Sequence, residues 1–254
     1  MRSSLIIATT AVLLSFCYPL HAQQSVKDSI VNTFLIHANY AFQFPGADLS
    51  KSFGNNSVIA VGLGYKTNKN WLWSAQLGFI FGDNVHGRNE LLSLISTSTG
   101  EIIDGDGVYT SLALFERGYH SQLKGGKIVP FGRLNPNSGL YFQTGLGYLT
   151  HHIRIETQFG TAPQLKGDYA KGYDRLRGGV AHSMEAGFLF MGSSKVLNFS
   201  IGLEFIHAYT TSLRKYDFNL MRPDNQRYSD HYFGIRINWM VPVYKRSPQP
   251  YYYF

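Results

Sequence analysis

Glu185, Glu204 and Arg236 stand at positions that strand alternation aims into one interior, and Gln76, Gln143 and Asn238 share that side. Two carboxylates and a guanidinium gathered away from water must pair, because an unpaired buried charge is very costly. The chemistry on offer is an ion-pair and amide network that fills an interior. Lining a narrow pore is the alternative use of the same set.

Histidines supply the second group. His182 beside Ser183 invites a nucleophile and base reading, in which imidazole takes the hydroxyl proton. His151 beside His152 invites metal binding. Neighbours on a strand point to opposite faces, so neither pair converges on one atom. No Gly-rich phosphate loop, metal-ligand spacing or nucleophile motif is present. Gly62-Leu63-Gly64 falls inside a strand. Neither cofactor nor metal is expected. Cys17 is the one cysteine and falls in the leader, so no disulfide is expected.

A third group is built for contact. Lys166, Tyr169, Lys171, Tyr173, Asp174, Arg175 and Arg177 mix charge with aromatic rings between Gly160 and Gly179. Leu91, Leu92, Leu94 and Ile95 have helical spacing in another long connection, as a short amphipathic segment suited to a barrel mouth, a membrane surface or a partner.

The elements that must position these residues are strands. Period-2 alternation recurs eight times: Phe34–Phe44, Ile59–Lys66, Trp71–Phe81, about Val108–Leu123, Leu140–Tyr148, Ser183–Phe190, Leu197–Phe205 and Phe233–Val243. The fourth is irregular. Glu116 falls in phase with Leu112 and Leu114, and a bulge near Phe115 or Gly118 would restore the alternation. One face of each run is bulky and apolar. The other carries Gly, Ser, Asn, Gln and a few charges.

The connections sort by length. Thr67–Asn70, Gly132–Gly139 and Gly192–Lys195 are short, whereas Pro45–Asn56, Asp83–Gly107, Gly160–Gly179 and Thr211–Arg227 are long. Strict alternation of short and long is the pattern of transmembrane barrels, with short periplasmic turns and long outer loops. The expected fold is therefore all-β: an eight-stranded antiparallel transmembrane β-barrel. Its apolar face meets lipid and its polar face fills the lumen. Trp71, Trp73, Tyr65, Tyr148, Trp239 and Tyr244 suit interfacial girdles.

Composition agrees. Charged residues are 15% of the 254, and the chain carries 17 Tyr, 18 Phe and 26 Gly. The net charge of +7 is dispersed, which sets nucleic acid aside as a partner. Residues 1–22 read as a secretory signal, with Arg2 before the apolar Leu5–Tyr18 and Leu20-His21-Ala22 as the cleavage site. Residues 23–244 are the barrel, and 245–254 a C-terminal periplasmic tail ending Tyr251-Tyr252-Tyr253-Phe254.

Gly46-Ala47-Asp48-Leu49, Tyr65-Lys66-Thr67 with Asn70-Trp71, Phe115-Glu116-Arg117-Gly118, Pro136-Asn137-Ser138-Gly139, His152-Ile153-Arg154-Ile155-Glu156 and Gly172-Tyr173-Asp174-Arg175-Leu176 together resemble small outer-membrane barrel proteins of Bacteroidota. The resemblance spans most of the mature chain. It implies a location in the outer membrane of a diderm bacterium and supplies no catalytic residues.

The favoured function is a non-enzymatic interaction or accessory subunit of the cell envelope. Its partners are expected to be outer-membrane lipid, lipopolysaccharide and other envelope proteins, including secretion or assembly machinery. A lipid hydrolase active at the barrel rim and a narrow small-solute channel are the alternatives.

Overall fold

The computed structural model describes residues 29–131, 135–192, 194 and 196–243. The expected leader, Tyr244 of the girdle and the C-terminal tail lie outside the described residues.

Strand runs that are apolar on one face and small or polar on the other can hide every backbone amide from lipid only by closing on themselves. They do so here. The strands are β1 (Thr33–Ala47), β2 (Asn56–Lys66), β3 (Trp71–Gly82), β4 (Ile102–Ile103), β5 (Tyr109–Thr110), β6 (Leu112–Pro130), β7 (Gly139–Thr157), β8 (Arg177–Met191), β9 (Asn198–Ser212) and β10 (Arg227–Val243). Eight form a closed antiparallel barrel in the order β1-β10-β9-β8-β7-β6-β3-β2, and β4 with β5 make a separate small hairpin. A path of paired residues from His231 runs through His207, His182, Leu146, Leu123, Ala75, Leu63 and Ile36. It returns to β10 at Val241, ten residues further on. That stagger tilts the strands by about 40° and leaves an interior that side chains can fill.

The exterior is the one a hydrocarbon solvent requires. Leu63, Leu77 and Leu123 are 64%, 66% and 69% exposed, in a belt that continues through Ile201, Leu203 and Ile235. Trp71, Trp73 and Trp239 mark its short-turn edge, and Tyr119, Tyr148 and Tyr209 its long-loop edge.

Three expectations are corrected. First, β6 has no bulge: its register to β3 and to β7 is unbroken. Glu116 is in phase with Leu112 and Leu114 because all three point inward. The two leucines lie beyond the membrane, under the loops, where the interior is apolar. Second, the strands run past the expected ends. Arg177 belongs to β8 and Arg227 to β10, so the connections before those strands are shorter than their turn-forming residues suggested, whereas the one between β3 and β6 is longer, spanning 83–111. Third, β6 opens at Leu112 and not at about Val108, and the expected short segment around Leu91 is one helical turn, Arg88–Leu91.

Glycine sets how closely the strands approach. A Cβ at Gly147 would collide with the Ser121 carbonyl of β6, and one at Gly78 would strike the ring of His120, its paired neighbour on β6. Replacing Gly147 by Val should therefore destabilise the barrel by about 1–3 kcal/mol, the usual cost of overpacking. Urea unfolding in lipid vesicles, followed by tryptophan fluorescence, will measure it.

Candidate functional site

Glu185 and Glu204 stand directly opposite each other on β8 and β9, and both point inward. Like charges at paired positions repel, so this register needs cations. Lys124 of β6 places Nζ 2.6 Å from Glu185 Oε2 and 3.2 Å from Glu204 Oε1. Arg236 of β10 pairs with Glu204 through Nη2, and its Nε lies 3.9 Å from Glu185 Oε2. Two cations thus offset two anions, with every side chain at most 3% exposed.

Neutral groups complete the network. Arg236 Nη1 donates to Asn39 Oδ1 at 2.7 Å and Gln76 Oε1 at 3.1 Å. Gln76 donates to Gln122 at 2.7 Å, and the Tyr141 hydroxyl to Glu185 at 2.7 Å. Gln43 donates to Glu204 at 3.3 Å. Asn238 donates to Ser200 Oγ at 3.1 Å and reaches Glu185 at 3.5 Å. Of the lumen residues read from the sequence, Gln76, Glu185, Glu204, Arg236 and Asn238 meet here. Gln143 stands apart, donating to the Leu72 carbonyl and Ser74 Oγ at 3.3 and 3.4 Å. Sequence reasoning missed Lys124, Asn39, Gln122, Tyr141 and Gln43. The signal for Lys124 was its phase with Glu116 and Gln122, hidden by the supposed bulge.

Both mouths are closed as well. At the short-turn end the Val31 amide donates to Asn137 Oδ1 at 2.9 Å. Lys66 Nζ donates to that oxygen at 2.8 Å and to the Val31 carbonyl at 3.2 Å. Val31 packs inside the mouth with Leu35, Leu72, Ile128 and Met240. Between this seal and the charge cluster lies a cavity of about 30 Å³, lined by His37, Ser74, Gln76, Glu185 and Asn238 among others. It has room for a water molecule.

At the long-loop end, the connections fold inward. Leu49 and Phe53, Leu91 and Leu92, and Leu165 and Tyr173 join Leu112, Leu114 and Ile153 of the barrel in one buried apolar cluster. Beneath them is a polar layer. Glu116 accepts from the Tyr232 hydroxyl at 2.7 Å and Asn56 Nδ2 at 2.9 Å. His151 Nε2 lies 2.9 Å from Asp230 Oδ2.

The plug divides the contact candidates. Leu91, Leu92 and Tyr173 are buried in it, and Ile95 packs on its edge. Asp174 binds Arg214, with Arg214 Nε donating at 2.9 Å. Arg175 lies 3.9 Å from Glu90, and the Arg177 guanidinium stacks 3.4 Å above the Tyr228 ring. Exposed on the surface are Leu94, Lys166, Tyr169 and Lys171. The Lys171 ammonium, 2.6 Å from Asp168, holds that carboxyl below its usual range.

The histidine pairs separate as strand geometry requires. His151 and Ser183 point inward, His152 and His182 outward. A different grouping forms on the outer wall. His182, His207 and His231 are paired neighbours across β8, β9 and β10. Ser229 Oγ lies 3.2 Å from His207 Nε2 and 3.4 Å from His231 Nε2. Starting the last strand at Phe233 left Ser229 and His231 outside it, so this grouping was not foreseen.

Neither a protein-family model nor any curated protein matches the chain. Solved structures with a similar fold are outer-membrane proteins. The attachment invasion locus protein Ail of Yersinia pestis is 11% identical with a TM-score of 0.41, covering 83% of this chain and 99% of Ail. OprG of Pseudomonas aeruginosa is 11% identical with a TM-score of 0.39, covering 86% of this chain and 100% of OprG. Neisserial surface protein A is 9% identical with a TM-score of 0.36, covering 81% of this chain and 96% of its own. At this identity the likeness concerns architecture alone.

The charge cluster makes a checkable demand. Arg236→Met leaves Glu204 facing Glu185 with Lys124 alone, and should cost about 3–5 kcal/mol, as breaking a buried pair does. Adding Glu204→Gln should recover part of that loss, because the orphaned charge goes with it. Urea titration of the single and double variants in vesicles reads both effects.

Proposed function

We propose that this chain is an outer-membrane barrel of a diderm bacterium that works through its outer loops and wall, as an interaction or accessory subunit of the cell envelope. The observation that carries this reading is closure: a compensated four-charge cluster at mid-lumen, with an apolar seal toward each mouth. A lumen so filled is poorly suited to solute passage, which disfavours the channel alternative. The short turns face the periplasm and the long loops face outward. Assignment to Bacteroidota rests on the resemblance of the sequence motifs.

Lys166, Lys171, Lys215, Arg222 and Arg227 are exposed at the long-loop end. Together with Tyr169 and Leu94, and with the exposed carboxylates of Glu90 and of Asp168, which pairs with Lys171, they form a surface of mixed charge in which cations predominate. Such a surface fits an anionic partner, of which lipopolysaccharide headgroups are the nearest in this membrane, or an acidic face of a larger envelope assembly.

Tagged native protein, extracted in mild detergent and captured from outer membranes, should bring down a stoichiometric envelope component. Changing Lys166, Tyr169 and Lys171 together to Ala should weaken that capture at least about tenfold, since each exposed contact contributes modestly. Capture of the bare monomer, unchanged in the triple variant, would remove the interaction reading. Planar-bilayer recordings should show no conductance steps, and steady steps would restore the channel.

A further inference from the structure

The wall of a barrel that faces lipid has little use for polar side chains, which are expensive in hydrocarbon. On β9 and β10 it nevertheless carries Ser229, His207 and His231, all half-buried and on the outward face. The three are joined. Ser229 Oγ lies between two imidazoles, 3.2 Å from His207 Nε2 and 3.4 Å from His231 Nε2. The rings meet edge to face with centroids 4.6 Å apart. A serine hydroxyl that donates to one imidazole can accept from the other. That is the arrangement in which a neighbouring base activates a weak nucleophile.

The surroundings define what such a hydroxyl would meet. Two residues further out along the same face of β10 is Arg227, which is exposed. Two residues the other way is Phe233, 47% exposed, paired with Phe205 of β9, 38% exposed. Along about 20 Å of strand the wall thus passes from a cation, through the serine and histidines, to a pair of aromatic rings. An ester whose head bears an anionic group and whose acyl chain enters hydrocarbon has the same polarity profile. Ser229 is paired with the exposed Tyr209 of β9, and His207 and His231 lie two residues inside it, so the group sits at the aromatic edge of the lipid-facing wall.

We propose that Ser229, His207 and His231 form an acyl-ester hydrolase site on the outer wall, acting on a phosphate-bearing lipid of the outer leaflet. This goes beyond the interaction reading and shares with it only the orientation in the membrane. Ser229 Oγ attacks the ester carbonyl carbon while His207, the nearer imidazole, takes the hydroxyl proton. The carbon–oxygen bond to the lipid alcohol breaks, and the alcohol leaves with that proton. Water, deprotonated by His207, then attacks the acyl-serine. Free fatty acid departs and Ser229 regains its proton. His231 donates its N–H toward the oxygen that carries the developing negative charge. Arg227 positions the lipid phosphate, and Phe205 with Phe233 receives the chain.

The test uses the full-length barrel reconstituted in vesicles of lipid A, or separately of phosphatidylglycerol, with released fatty acid measured by mass spectrometry. Ser229→Ala should lower release at least about 100-fold, the scale of a lost nucleophile or base, and His207→Phe should do the same. A fluorophosphonate probe should label Ser229 in the parent protein and not in His207→Phe, a readout of hydroxyl activation independent of lipid. All three side chains lie on the outer face, so the variants should keep the heat-shifted mobility of a folded barrel. Release from lipid A alone, or from phosphatidylglycerol alone, assigns the source of the ester. Equal release by parent and Ser229→Ala overturns the site, as does release by neither. The capture experiment reads different residues and is unaffected by either result.

Discussion

The structure depends on keeping two carboxylates side by side in a narrow, tightly filled lumen. Glu185 and Glu204 are paired neighbours across β8 and β9, and their mutual repulsion is offset by Lys124 from β6 and Arg236 from β10. Four strands are therefore tied through the centre of the barrel by groups that cannot leave it without exposing a bare charge. Each surrounding amide, from Asn39, Gln43, Gln76 and Asn238, takes up a donor or acceptor that this cluster leaves open. The register of those strands is coupled to the charges, since a slip of one residue would turn a lumen charge out to lipid.

Closure follows at both ends by different physics. Toward the short turns, Lys66 and Asn137 hold the backbone of Val31 so that its side chain fills the mouth. Toward the long loops, apolar residues from separate connections collapse on one another above the buried Glu116 and His151 layer. The strands extend past the membrane to reach that cluster, which is why Leu112 and Leu114 point inward there. The result is a barrel whose lumen is filled by side chains around a cavity of about 30 Å³.

The outside of that barrel is of two kinds. The loop surface carries exposed cations and single apolar side chains, the groups on which the proposed interaction rests. The wall offers a small polar island in an apolar field, where His207, Ser229 and His231 face the membrane boundary. Polar groups in such a field keep their mutual hydrogen bonds because lipid offers no replacement. The same isolation makes the hydroxyl and its imidazoles available to a lipid ester and little else.

Much of this was written in the residue order. Alternation of Phe34 to Phe44, Trp71 to Phe81 and Leu197 to Phe205 specified strands with a lipid face, and the parity of short and long connections specified a membrane barrel. The inward phase of Glu185, Glu204 and Arg236 was legible too, because facing depends on local spacing alone. What met what was not. Lys124 was lost when the inward leucines of β6 were taken for a bulge, since an apolar residue looks the same whether it faces lipid or a plug. Leu91 and Leu92 looked like contact residues until the loops were seen to bury them. Ser229, His207 and His231 come together only through the pairing of β9 with β10. Sequence by itself determined the period, the facing and the membrane class, which are properties of neighbours along the chain. Tertiary structure alone decided the charge partners, the plug and the serine between two histidines, because register between distant strands is set by closing the whole barrel at once.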